Sequence, residues 1–223
     1  NLNTAAPSLV RILISDPANP VLISETPIPD PGCSGGGFAP WGLKYHNGKI
    51  YIGGVCTAET SQNVSDLSAT VYAFDGASTF TSIATMPLNY NRAAATFRSN
   101  DTYSDADWQP WSNTWSPDEL PLSPSPLVSQ PMPILQDIEF DDDGSLLLGF
   151  GDRFAYMTAF GNRKWGTTSG STYSPVAAGD LIRFCNVNGT LTLEGGSGCV
   201  QTNTDRGSTN IPAIPTIVEY YND

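Results

Sequence analysis

The sequence predicts an all-β protein assembled from recurring hairpins, with little helix. Three observations carry that prediction. Residues 41–54 (WGLKYHNGKIYIGG) and 136–150 (QDIEFDDDGSLLLGF) spell one two-strand unit twice, with turn glycines Gly48 and Gly144 lying 96 residues apart. Each has an alternating strand, an Asn-Gly or Asp-Gly turn and a β-rich strand ending in glycine, the pattern of a tight hairpin. Each unit is followed, after an insertion, by a second strand pair: 69–76 with 79–84, and 180–185 with 189–194. Finally, no segment carries a capped apolar stripe of period 3.6, so helix is limited to a turn around 61–67 or 116–120.

Taken in order, residues 9–14 (LVRILI) and 20–24 (PVLIS) read as a third copy of the second strand pair alone. Residues 32–37 (GCSGGG) are glycine-rich, but no Lys-Ser/Thr and no helix follow, so they form a connection tied by Cys33 and no phosphate loop. A four-stranded unit spans 41–88, interrupted at 57–68, and another spans 135–194, interrupted at 158–178. Between them, residues 103–133 interleave Tyr103, Trp108, Trp111 and Trp115 with aspartates and then run through six prolines. Proline breaks strand ladders, and the tryptophans argue against a flexible linker, so this is a long ordered loop. Residues 214–221 (IPTIVEYY) read as an opening strand of a further unit.

Four-stranded repeats of this kind point to a β-propeller-type domain covering 1–223, with segments at 9–24, 41–88, 135–194 and 214–221. A propeller closes with about four to eight blades. About two and a half are present, so the chain is expected to be an incomplete propeller that pairs with another chain or with the rest of a parent protein. A β-sandwich or open sheet made of the same hairpins is the alternative.

Composition narrows the partners. Ten Lys and Arg stand against 22 Asp and Glu, a net charge of −12, which disfavours nucleic acid and anionic membrane surfaces. No apolar run approaches the ~20 residues of a membrane span. The N-terminal residues carry no basic-then-apolar leader. Cys33, Cys56, Cys185 and Cys199 allow three pairings; the sequence-local ones, Cys33 with Cys56 and Cys185 with Cys199, are favoured because each flanks a hairpin or loop. Disulfides belong to oxidising compartments, so the chain is expected to be extracellular or at the cell surface. Asn63, Asn100 and Asn188 head glycosylation sequons in loops.

The chemistry-bearing candidates are few. Asp137, Glu139, Asp141, Asp142, Asp143 and Asp152 form the densest acidic run, and Asp137 and Glu139 share a strand face. The run reads first as a strand and an Asp-Gly turn; the alternative is a calcium site on Asp137, Glu139 and Asp152, since calcium gathers six to eight oxygens. Asp152-Arg153 reads as an ion pair at the inner edge of a blade, with Arg92 in the same part of the preceding one. His46, the lone histidine, sits at a turn and has no Gly-x-Ser-x-Gly serine with which to build a triad. Cysteine spacing excludes a zinc ribbon. Trp108, Trp111 and Trp115 offer flat faces for a sugar, or alternatively fill the groove under their own loop.

Residues 42–59, 133–153 and 179–183 together resemble the propeller-like region of large secreted bacterial cell-surface proteins of the adhesin type, which carry repeats and wall-sorting signals. The resemblance spans about 40–195 and is most specific at 133–153. It implies an extracellular, non-enzymatic structural or adhesive module with no catalytic residues to carry over. From a different class, a calcium-dependent propeller hydrolase of phosphatase or lactonase type would need Asp137, Glu139 and Asp152 on its metal; a glycan-binding lectin module would use the tryptophans.

Overall fold

The structure, a computed structural model, describes residues 7–90, 92, 94–95, 104–105, 107–114, 118–120, 127–159, 161–163, 172, 174–175, 177 and 179–199. In chain order the strands are β1 (Ser8–Leu13), β2 (Val21–Pro27), β3 (Phe38–His46), β4 (Lys49–Cys56), β5 (Ser68–Phe74) and β6 (Phe80–Pro87). Short pieces follow at β7 (Ala94–Ala95), β8 (Ser104–Asp105), β9 (Asp118–Leu120) and β10 (Leu127–Ser129). The second half holds β11 (Pro133–Phe140), β12 (Leu146–Asp152), helix α1 (Arg153–Thr158), β13 (Ser174–Pro175), β14 (Asp180–Val187) and β15 (Thr190–Leu193).

The all-β expectation holds. Two four-stranded antiparallel meanders dominate, in strand order β3-β4-β5-β6 and β11-β12-β14-β15. Their tight turns form where the sequence supplies residues that tolerate the left-handed region. Asn47 and Gly48 have φ of 46° and 78°, and Asn188 and Gly189 have 53° and 85°, so the turn twist matches the strands it joins. The Asp-Gly turn closes through Asp141 N–H to the Ser145 carbonyl at 2.9 Å. Periodicity did not reveal that each first ladder carries a register break at the same place, between Pro40 and Gly42 in one and between Leu135 and Asp137 in the other. The repeat therefore extends to the bulge.

The two meanders stack face to face. β11 packs on β3 and β4, and β15 reaches β6, so first strand lies by first strand and last by last. The closest approach is at glycine: a Cβ on Gly53 would stand 2.6 Å from Leu135 Cδ2 and 3.0 Å from Ile138 Cδ1, and one on Gly42 would stand 3.1 Å from Leu135 Cδ2. Val55, Val71 and Met86 of the first sheet and Ile134, Leu148 and Ile182 of the second complete one continuous core. At the hairpin-turn end, His46 stacks on Phe140 with ring centroids 4.5 Å apart, and Lys44 meets Glu139 at 2.5 Å. His46 does lie at a turn, as the sequence indicates, and its partly covered ring also bridges the two sheets.

On the other face of the first meander, Ile28, Phe38, Ile52 and Tyr72 form a smaller cluster joined by Leu9 of the β1-β2 ribbon. Both sequence-local disulfides are present, Cys33–Cys56 and Cys185–Cys199. A 3-10 turn at Val64–Asp66 falls inside the expected helical stretch. The other helical expectation is corrected: Asp118–Leu120 is a strand paired with β10, and the α-helix lies at Arg153–Thr158. Its cause is the N-cap, since Asp152 accepts from Phe154 N–H at 2.9 Å directly where β12 runs out. The expected strand at 214–221 lies outside the described residues.

Candidate functional site

The richest constellation of side chains lies at the end of the sheets where β3 and β11 begin and β4 and β12 finish. Here the loop at 57–66 folds onto the glycine-rich connection behind Cys33. Thr60 and Ser61 N–H both donate to the Gly35 carbonyl, at 2.7 and 2.9 Å. Gly35 has φ of 65°, and a Cβ there would collide with Ser61 Oγ at 2.1 Å, so this seat accepts only glycine. The loop is tight enough to hold Ala58 and Gln62 at φ of 50° and 54°, a costly region for side-chain-bearing residues.

Against this loop packs the segment 107–114. Trp111 N–H donates to the Thr57 carbonyl at 3.0 Å, its indole N–H donates to the Pro133 carbonyl at 2.8 Å, and Gln62 Nε2 donates to the Trp111 carbonyl at 2.8 Å. The Arg153 guanidinium lies 4.6 Å from the Trp111 ring centroid and donates to the Ser112 carbonyl and to Asn113 Oδ1, at 3.3 and 3.1 Å. Between these parts opens a cavity of about 640 Å³ lined by Glu59, Gln62, Trp111, Asn113, Thr114 and Arg153, with Ser112 in its wall. Burial pulls the Arg153 pKa below its usual value, opposed by the negative charge of Glu59. Arginine still stays cationic at neutral pH.

A separate polar knot is buried among Tyr90, Arg92, Trp108 and Asp180. Tyr90 hydroxyl donates to Asp180 Oδ2 at 2.5 Å, Arg92 Nε pairs with the same oxygen at 3.3 Å, and the Arg92 guanidinium lies 3.6 Å from the Trp108 ring centroid. Burial first, and the Asp180 charge second, push the Tyr90 hydroxyl well above its ordinary pKa. The arrangement links the segment after β6, the tryptophan segment and the start of β14. Arg92 therefore pairs with Asp180 of the second meander, not along the inner edge of the preceding unit where the sequence reading put it.

The predicted calcium ligands are not brought together. Asp152 is buried and accepts from Met132 and Phe154 N–H groups at 3.1 and 2.9 Å. Asp137 accepts from Ile138 N–H at 2.9 Å, while Glu139 pairs with Lys44 across the sheet interface. Among the described residues no group of three or more His, Cys, Asp or Glu side chains could hold a metal ion. The Asp152-Arg153 pairing is also revised: Asp152 caps α1 and Arg153 turns to Trp111.

Trp108 and Trp111 are buried, at 0% and 7% exposure, and each has a guanidinium over its ring. Both fill the groove beneath their own loop and present no open face to a sugar. Trp115 and the Asn100 sequon lie outside the described residues. Asn63 and Asn188 are exposed, the first capping the 3-10 turn and the second in the β14–β15 turn. Nothing in the sequence pattern indicated that Gln62, Asn113 and Arg153 face one cavity. What the cavity offers chemically is hydrogen bonding of both polarities, with no histidine beside Ser112, because His46 lies at the opposite end of the sheets.

Among the described residues no helix is long and apolar enough to cross a membrane. No protein-family model and no solved structure matches the chain. Three proteins of Dictyostelium discoideum are similar to it: Colossin-A, 30% identical over 163 residues covering 73% of this chain; Colossin-B, 25% over 210 residues and 87%; and Colossin-C, 26% over 184 residues and 81%. The chain spans only 1%, 5% and 16% of those proteins respectively, and none of the three is bacterial.

Proposed function

We propose that the chain is a β-propeller-type portion of a secreted or cell-surface protein, a non-catalytic structural and adhesive module that assembles with the rest of its parent. The observation that carries this reading is the in-phase stacking of two like meanders, first strand on first and last on last, through Gly42 and Gly53. Meanders related in that way continue naturally around an axis. The two disulfides favour an oxidising, extracellular setting, and the exposed Asn63 and Asn188 suit glycosylation there. Relatives of this segment are far longer than it is, in keeping with a module of a large protein.

Particle images of the whole polypeptide containing residues 1–223 test the reading. A closed ring of blades is the expected result, and a two-sheet sandwich with both outer faces solvated refutes it. The polar cavity by Arg153 favours one secondary reading, recognition of a hydroxyl-rich glycan by Gln62, Asn113 and Arg153. Loss of glycan-array binding in Asn113→Ala is its expected signature, and an array on which the native protein binds nothing refutes it. The hydrolase alternative is met by a phosphatase and esterase screen with and without calcium, in which calcium-dependent turnover abolished by Asp137→Ala overturns the non-catalytic assignment.

A further inference from the structure

Seven of the exposed large apolar side chains lie in or directly beside β1 and β2, and three more lie on β3. Within the ribbon, Ile12 and Leu13 are 55% and 48% exposed, and Val21, Leu22 and Ile23 are 53%, 61% and 51% exposed. Successive strand residues point to opposite faces, so both faces of this ribbon are apolar. That composition belongs to strands covered on both sides. Only Arg11 and Glu25 carry charge within the two strands. A lone two-stranded ribbon is marginal in water, and its outer edges, which pair with no other strand among the described residues, are templates for a further strand.

The neighbouring surface has the same character. In the β3–β4 ladder Leu43 stands opposite Ile52 and Tyr45 opposite Ile50. Cross-strand partners share a face, so Leu43 and Tyr45 lie on the side that holds the Ile28, Phe38, Ile52 and Tyr72 cluster. Ile52 and Tyr72 are covered, at 3% and 6% exposure, whereas Leu43 and Tyr45 at the β3 edge stand at 63% and 72%. The apolar surface is therefore a continuation of the contact that the ribbon already makes through Leu9. On the opposite face of the same sheet, four strands supply the cover, with β11 over β3 and β4 and β15 by β6. On this face the ribbon supplies two strands. The uncovered part is the β3 side.

We propose that two further apolar β-strands, supplied by polypeptide outside residues 1–223 of the same protein, pair along the free edge of β1 and cover Leu43 and Tyr45. This deepens the proposed assembly role and rests on the stacked-sheet reading. The source is the same polypeptide, because the similar segments of the colossins are embedded in proteins of which they form 1–16%. A second copy is disfavoured by the net charge of −12 on each chain.

Amide hydrogen exchange read by mass spectrometry tests it, comparing the chain 1–223 with the whole polypeptide that contains it. The peptide covering residues 8–14 is expected to exchange at least tenfold more slowly in the longer protein, because the outward amides of β1 then have partners. Leu43→Lys should leave the melting temperature of 1–223 unchanged, its side chain being in water there, and abolish the added protection in the longer protein. Equal exchange in the two proteins overturns the proposal. So does protection in 1–223 that grows with its concentration, which marks a second copy, or a gene encoding nothing beyond these residues. If exchange is equal while Gly53→Ala still disrupts the sheet interface, the docking proposal falls and the stacked-sheet reading stands; if Gly53→Ala is tolerated, the stacked-sheet reading falls.

Discussion

Substituting Gly53 by alanine places a methyl group where the two sheets meet. The new Cβ would lie 2.6 Å from Leu135 Cδ2 and 3.0 Å from Ile138 Cδ1, and both of those side chains are fully buried. Carbon contacts are comfortable at about 3.5–4.0 Å, so Leu135 must move by roughly 1 Å or the sheets must part. Overpacking of this kind costs about 1–3 kcal/mol, against about 0.5–1 kcal/mol recovered because alanine loses less backbone entropy than glycine. A net loss of about 1–2 kcal/mol in urea unfolding follows, read as a lowered midpoint at unchanged slope. Gly37→Ala is the control, since a Cβ there meets nothing within 4 Å, and it should be neutral or slightly stabilising. Leu135→Ala on its own should cost about 2–5 kcal/mol, and in that background Gly53→Ala should cost almost nothing. The coupling is then about 1–2 kcal/mol. If Gly53→Ala behaves as Gly37→Ala does, or if its cost is the same with and without Leu135, the face-to-face packing described above is wrong.

Asp152→Ala removes the acceptor for the buried Met132 and Phe154 N–H groups and should lower stability by about 2–4 kcal/mol in the same urea assay, with Asp152→Asn recovering part of it through the retained oxygen. Tyr90→Phe deletes the hydroxyl that donates to Asp180 and should cost about 1–2 kcal/mol. Because the folded Tyr90 pKa is raised, its contribution is complete below the unfolded value of about 10 and is lost as pH climbs through the folded value. Melting temperature should therefore fall more steeply above pH 10 in the native protein than in Tyr90→Phe. Replacing Cys33 and Cys56 by serine should cost about 3 kcal/mol and open the 57–66 loop to protease, whereas unchanged cleavage there would mean that the loop is held by Gly35 and Trp111 alone.

Much of the secondary structure was legible because it is local. Asn47-Gly48 and Asn188-Gly189 announce their turns through residues that accept positive φ, and alternation announces the strands on either side. The disulfide partners were legible because each pair brackets a hairpin or loop of its own. The acidic run was harder. Counting carboxylates at 137, 139 and 152 ignores that a buried carboxylate at a strand end is also a good helix cap, and Asp152 serves as one. The helix itself went unseen because six residues hold less than two turns of pattern. The candidate cavity drew on two loops and the first residue of α1, and the tight backbone of the first loop, at Ala58 and Gln62, leaves no trace in residue type.

What the sequence determined by itself is a set of like hairpin units and their order, since period-two alternation and turn chemistry act over a few residues. What only the tertiary structure decided is which surfaces meet. Gly53 is a gap filled by Leu135, His46 a bridge to Phe140, and Trp111 a floor beneath Arg153. Those contacts join residues from about 40 to more than 90 positions apart. Nothing in the local pattern of either partner specifies the other, so they arise only when the apolar faces of whole sheets are buried against one another.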